Sequence, residues 1–170
     1  LLSFIIWNGL TTWWIWNSTA SGAVTAIVLN ALFMATVFQV YHISKKYLFG
    51  NKGGLGILIF YWISWEYFHM NWDLSWPWLT LGNVFASKHL WIQWYEYTGV
   101  LGGSFWVLWV NILIFRLLQN IRSKSTSKWI LQTSWVSLLI GIPFVFSLVQ
   151  YYHYKETGKA IQVVVVQPNV

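Results

Sequence analysis

The sequence predicts an all-α, polytopic membrane helix bundle that passes, at its carboxyl end, into the first strand of an α/β domain. Three observations carry this. Charged residues make up 8% of the 170 and hydrophobic ones 57%, whereas an ordinary soluble domain carries about 25% charged residues. Five apolar stretches approach the length needed to cross a hydrocarbon core, about 20 residues at about 1.5 Å of rise each. The last apolar run, 161–166, is too short to cross as a helix, and its Val-rich makeup reads as a buried strand entering a turn at Gln167, Pro168 and Asn169.

Taken in order, residues 1–16 read as the tail of one span, 22–43 as a second, 53–68 as a third, 98–118 as a fourth and 129–151 as a fifth. Residues 1–151 are therefore expected to form the bundle, the first span being partial. Residues 152–170 are expected to form a linker, through the polar HYKETGK, and the first strand of a following domain. A lone strand is not stable, so more chain is expected after it. The chain opens inside an apolar run with no basic segment before it, so it does not read as a signal peptide. Both ends are read as lying inside a longer protein.

Basic residues set the expected orientation, because short cytoplasmic loops carry excess Lys and Arg. Lys45, Lys46 and Lys52 lie between the second and third stretches, and Arg116, Arg122, Lys124 and Lys128 flank the gap between the fourth and fifth. The segment 17–21 has none, and 69–97 has only Lys88. The two basic-poor loops and the chain after Tyr151 should then lie outside the cytoplasm. The net charge of +6 follows from this topology; the basic residues form no continuous stripe of the kind nucleic acid requires.

Candidate chemistry clusters on the outer side. Glu66, in FYWISWEYFHMNW, is a carboxylate at or near membrane depth, where ionisable groups are costly and mark function by default. It could equally be an interfacial acid that is solvated or paired with His69 or Lys88. The Glu66-x-x-His69 spacing puts both on one helix face. A carboxylate-bridged metal site needs several further acids, however, and the chain has only four in all, so no metal site is expected. His42, His89 and His153 read as interfacial. With no cysteine present, a thiol nucleophile, a disulfide and a thiolate metal site are excluded within these residues. Phosphate-cradling loops and Ser/His/Asp arrangements are also absent.

The loop DLSWPWLTLGNVFASKHLWIQWYEYTG sets Trp72, Trp76, Trp78, Trp91 and Trp94 around Pro77 and Gly82. A headgroup-level aromatic belt accounts for many of these rings. The rigid Trp-Pro-Trp followed by Gly-Asn suggests instead a shaped apolar surface for lipid chains or a lipidated peptide. Gly99 and Gly103 form a G-x-x-x-G that would let another helix approach. Asn30, Gln39 and Asn111 inside the spans are expected to hydrogen-bond across helices.

Three motifs then carry a family resemblance: WEYFHMNWDLSWPWLTLGN closing a span, WIQWYEYTGVLGGSFWVLWVN opening the next, and a final span leading to IQVVVVQPNV. From about Ser64 to Val170 the chain resembles the apolipoprotein N-acyltransferases, and FIIWNGLTTWWIWNSTASGAV is similar to the same family. The resemblance implies transmembrane helices in the bacterial inner membrane, carrying a nitrilase-like domain on the periplasmic side. It implies transfer of an acyl chain from a phospholipid donor to the amino-terminal diacylglyceryl-cysteine of an apolipoprotein, through an enzyme thioester. No metal or nucleotide cofactor is implied.

The family's catalytic Glu, Lys and Cys belong to the nitrilase-like domain and would lie beyond Val170, so no catalytic residue is assigned and these 170 residues alone are expected to be inactive. As a substrate platform, Glu66, Trp76, Trp78 and Glu96 are the residues expected to face the entrance. Two other classes are a transporter or channel bundle, using Glu66, His69, Asn111 and Arg116 as a polar path, and a passive membrane anchor.

Overall fold

The long apolar runs fold as helices whose ends are set by specific residues. The computed structural model describes residues 1–50, 53–122, 126–158 and 161–167. Among these residues five α-helices follow in order: α1 (Leu2–Thr12), α2 (Ala20–Phe49), α3 (Ile57–Met70), α4 (Tyr95–Arg122) and α5 (Thr126–His153). Thr19 caps α2 by accepting from the Gly22 N–H, satisfying a donor that has no partner within the helix. Gly50 ends α2 in the left-handed conformation, its N–H returning to the Lys45 carbonyl.

Among the described residues three helices, α2, α4 and the Trp129–His153 part of α5, are long and apolar enough to cross a membrane. The other two stretches, the first of which was expected to be only part of a span, form shorter helices. α1 has 11 residues and α3 has 14, so α3 covers only about 21 Å at 1.5 Å per residue. The loop that follows it folds back against its end, the Leu81 N–H reaching Glu66.

Neighbouring helices run antiparallel. Ser44 near the end of α2 hydrogen-bonds Tyr61 near the start of α3 at 2.9 Å. Asn120 of α4 donates to Gln132 of α5 at 2.8 Å. Lys45, Lys46 and Arg122 therefore share one end of the bundle, and the loop between α3 and α4 occupies the other. Lys52, Lys124, Pro168 and Asn169, which the sequence reading also used, lie outside the described residues. Residues 161–167 are exposed and unpaired, so the expected strand is not seen. A strand is held by the ladder it makes with a neighbour, and the described residues supply none.

Met34, Ile59, Trp62 and Leu108 form the core where α2, α3 and α4 meet, with Phe4 of α1 and Leu79 and Leu81 of the α3–α4 loop packed against it. Lipid chains are as apolar as these side chains, so tight packing and hydrogen bonds, rather than expulsion of water, must hold the helices together. Asn111 does not bridge helices as expected; it donates to the Val107 carbonyl of its own helix at 2.7 Å.

α5 contains Pro143. Proline has no N–H, so the carbonyl four residues earlier, Leu139, loses its helical donor. The Trp106 indole of α4 donates to that oxygen at 2.8 Å, satisfying a group that lipid cannot. Trp106→Phe is expected to cost about 1–3 kcal/mol by stranding the carbonyl. Adding Pro143→Ala should recover most of the loss, because the restored amide answers Leu139. Thermal unfolding of the four variants in detergent checks this, and strictly additive losses would refute it.

Candidate functional site

The loop between α3 and α4, residues 71–94, contains three short 3₁₀ turns, at Pro77–Leu79, Leu81–Phe85 and His89–Trp91. Such turns leave backbone groups unpaired, and here side chains from the helices take them up. The Glu66 carboxylate, only 6% exposed, accepts through Oε1 from the Leu81 N–H at 2.8 Å and from the Trp62 indole at 2.9 Å. The Ser104 hydroxyl, fully buried in α4, accepts from the Gly82 N–H at 2.9 Å. Tyr95 donates to the Gly82 carbonyl at 2.9 Å. Two successive residues of the loop are thus held by side chains from both α3 and α4.

Two glycines make this approach possible. A Cβ on Gly82 would collide with the Val100 carbonyl, so only glycine lets the loop lie against α4. Gly99 has φ 64° and ψ −174°, a region open essentially to glycine alone. It breaks α4 after its first turn and brings Tyr95 back over the helix. The surface over Gly103 is accordingly covered by the Tyr95 ring, where the sequence had suggested another helix.

His69 lies beside this clasp, 7% exposed. It stacks on Trp65 with ring centroids 5.0 Å apart, and Phe33, Trp72 and Trp76 complete its aromatic surround. The Trp72 indole points at Nδ1, 3.0 Å away, and the Trp76 N–H at Nε2, 3.2 Å away. A neutral imidazole has a single acceptor nitrogen, so the tautomer decides which donor is answered. Among the described residues no three His, Asp or Glu side chains converge as a metal site would require.

The opposite half of the loop is tied to α5. Ser147 donates to the Trp91 carbonyl at 2.9 Å, Gln150 donates to Glu96, and His89 packs on Tyr151. Apolar clefts open on either side. One of about 570 Å³, between α4, α5 and the loop, is lined by Phe85, Trp91, Trp94, Trp106, Pro143 and Phe144. Another of about 320 Å³ is lined by Trp7, Trp14, Trp78 and Val84.

The four residues singled out from sequence therefore occupy three different settings. Glu66 is turned inward under the loop, with half-buried Trp76 close by against His69. Trp78 is 43% exposed and packs on Trp14. Glu96 is exposed at the top of α4. The sequence reading missed Ser104 and Tyr95 as loop ligands. The Gly82-Asn83 pair was the available signal, since a backbone with no side chain to pack invites polar contacts from elsewhere.

A family model described as the apolipoprotein N-acyltransferase N-terminal domain matches residues 1–113. The chain is 27% identical over 169 residues to a protein of Chlorobaculum tepidum named apolipoprotein N-acyltransferase, covering 99% of this chain and 32% of that protein. It is 26% identical over 127 residues to a protein of Geobacter metallireducens with the same name, covering 71% of this chain and 24% of that one. The chain thus spans about a third or less of the length of these relatives. No solved structure matches.

Proposed function

Since the chain belongs to the apolipoprotein N-acyltransferase family, we propose that it is the membrane platform of an enzyme that moves an acyl chain from a phospholipid to the amino-terminal cysteine of a lipidated apolipoprotein. The reaction itself belongs to a nitrilase-like domain following these residues, carrying a Glu, a Lys and a Cys. The platform's contribution is positional: both substrates are amphiphiles anchored in the bilayer, and holding them beside the nucleophile replaces a search by an encounter of fixed geometry.

The observation that carries this reading is the pinned outer loop with apolar clefts on either side. Acyl chains suit such clefts, which are lined by aromatic rings and few polar groups. Trp78 lines one cleft from the loop, and Glu96 is exposed two residues after Trp94, which lines the other. Glu66 and Trp76 act from beneath, by fixing the loop on which Trp78 stands. The orientation that fits this reading puts the loop and the chain after His153 on the periplasmic face of the inner membrane.

The test is N-acylation of a diacylglyceryl-cysteine peptide by the complete protein in phospholipid vesicles. Trp78→Ala is expected to lower kcat/KM about tenfold, the effect of about 1.4 kcal/mol of lost contact, chiefly through KM. If Trp78→Ala and Glu96→Gln both leave activity and lipid dependence unchanged, or if a foreign anchor replaces the helices without loss, the helices are a passive tether. An impermeant amine reagent should label Lys88 and Lys155 in spheroplasts; labelling only after lysis would reverse the orientation.

A further inference from the structure

One buried oxygen is left over by the clasp. Glu66 Oε1 accepts two hydrogen bonds, but Oε2 has no hydrogen-bond partner. The Ser104 hydroxyl accepts from the Gly82 N–H, and its own proton is free to turn toward the Glu66 carboxylate beside it, so at most one lone pair of the carboxylate is answered from α4. A buried polar atom without a partner is rare in folded proteins and calls for an explanation, an ordered water or ion among them.

The surroundings suggest which. Glu66 borders a small cavity of about 10 Å³, shared with Asn30 of α2, Thr80 of the loop and His69. That volume is close to the smallest that admits one water molecule, about 10–15 Å³. Asn30 is 3% exposed and Thr80 is 7% exposed. Neither the Asn30 amide nor the Thr80 hydroxyl has a hydrogen-bond partner among the described residues. Three polar side chains from three separate elements therefore border one water-sized space, and a buried water typically makes about three hydrogen bonds.

We propose that this cavity is a binding site for a single structural water that bridges Glu66 Oε2 to Asn30 and Thr80. Water suits the site because it both donates and accepts, so it can serve the carboxyl group, the amide and the hydroxyl together. A metal cation suits it less. Hard cations take six or more oxygen ligands, and the cavity's side chains offer an oxygen only from Glu66, Asn30 and Thr80. The bridge ties α2 to the underside of the loop, adding a third helix to the two that already hold Leu81 and Gly82. This inference rests on the geometry alone and does not depend on the proposed reaction.

A structure of the complete protein, at a resolution that shows ordered water, tests it. The expected result is one density peak within about 2.7–3.2 Å of Glu66 Oε2 and of at least one of Asn30 and Thr80, in sodium and in choline buffers alike. A cavity without density, or a peak seen only with sodium, overturns the proposal, the latter in favour of a cation. Independently, Thr80→Val keeps the shape and removes the hydroxyl. It should lower the melting temperature by about 2–4 °C, and an unchanged melting temperature would count against the bridge.

Discussion

Gly82→Ala is expected to detach the α3–α4 loop from the bundle. The added methyl group would overlap the Val100 carbonyl, and a backbone atom inside a helix cannot move aside as the end of a side chain can. Forced overpacking costs about 1–3 kcal/mol, occasionally more, and here relief requires the loop to lift. Lifting would break the Leu81, Gly82 N–H and Gly82 carbonyl contacts with Glu66, Ser104 and Tyr95 together. The loss should exceed about 3 kcal/mol, beyond the usual overpacking range. Lys88 is exposed within the same loop, so trypsin cleavage after it should accelerate in step with the fall in thermal stability. A variant that melts and is cleaved like the parent would mean that the contact with α4 is loose.

Glu66→Leu should be nearly as damaging, for a different reason. It fills the space but leaves the Leu81 N–H and the Trp62 indole N–H without an acceptor. Each stranded donor costs about 1–3 kcal/mol, so about 2–6 kcal/mol is expected in total. Glu66→Gln keeps an acceptor oxygen in the same place and should retain most of the stability and most of the loop's protease resistance. The pair of variants separates a structural role from a charge role. If Gln were as harmful as Leu, the negative charge would matter more than the hydrogen bonds, and the clasp would need another explanation.

The helices were legible in the sequence because lipid imposes a length and a polarity that composition records directly. The apolar windows 22–43, 98–118 and 129–151 sit inside α2, α4 and α5, which run past them because polar residues such as Lys45 and Arg122 continue a helix beyond the hydrocarbon. The window 53–68 overstated α3 only at its start, where Gly53, Gly54 and Gly56 precede the first helical turn at Ile57. Glu66 stood out for the same reason, as a carboxylate where carboxylates are costly. Its main partner is a backbone amide 15 residues away, and backbone groups leave no mark in a sequence. Ser104 and Tyr95 were similarly silent: their partners are the backbone groups of Gly82, and it takes the break at Gly99 to bring Tyr95 over the helix that carries Ser104. The run 161–167 reads as a strand from its side chains alone, whereas the strand state depends on a neighbour's hydrogen bonds.

The answered carbonyl beside Pro143 also bears on motion. A proline within a membrane helix often serves as a swivel, because the missing hydrogen bond makes bending easy. In α5 the Trp106 indole takes that bond's place from the adjacent helix, so any swing would expose a bare peptide oxygen to hydrocarbon. The joint is therefore stiffened, and the end of α5, where Ser147 holds the Trp91 carbonyl, is kept against the loop.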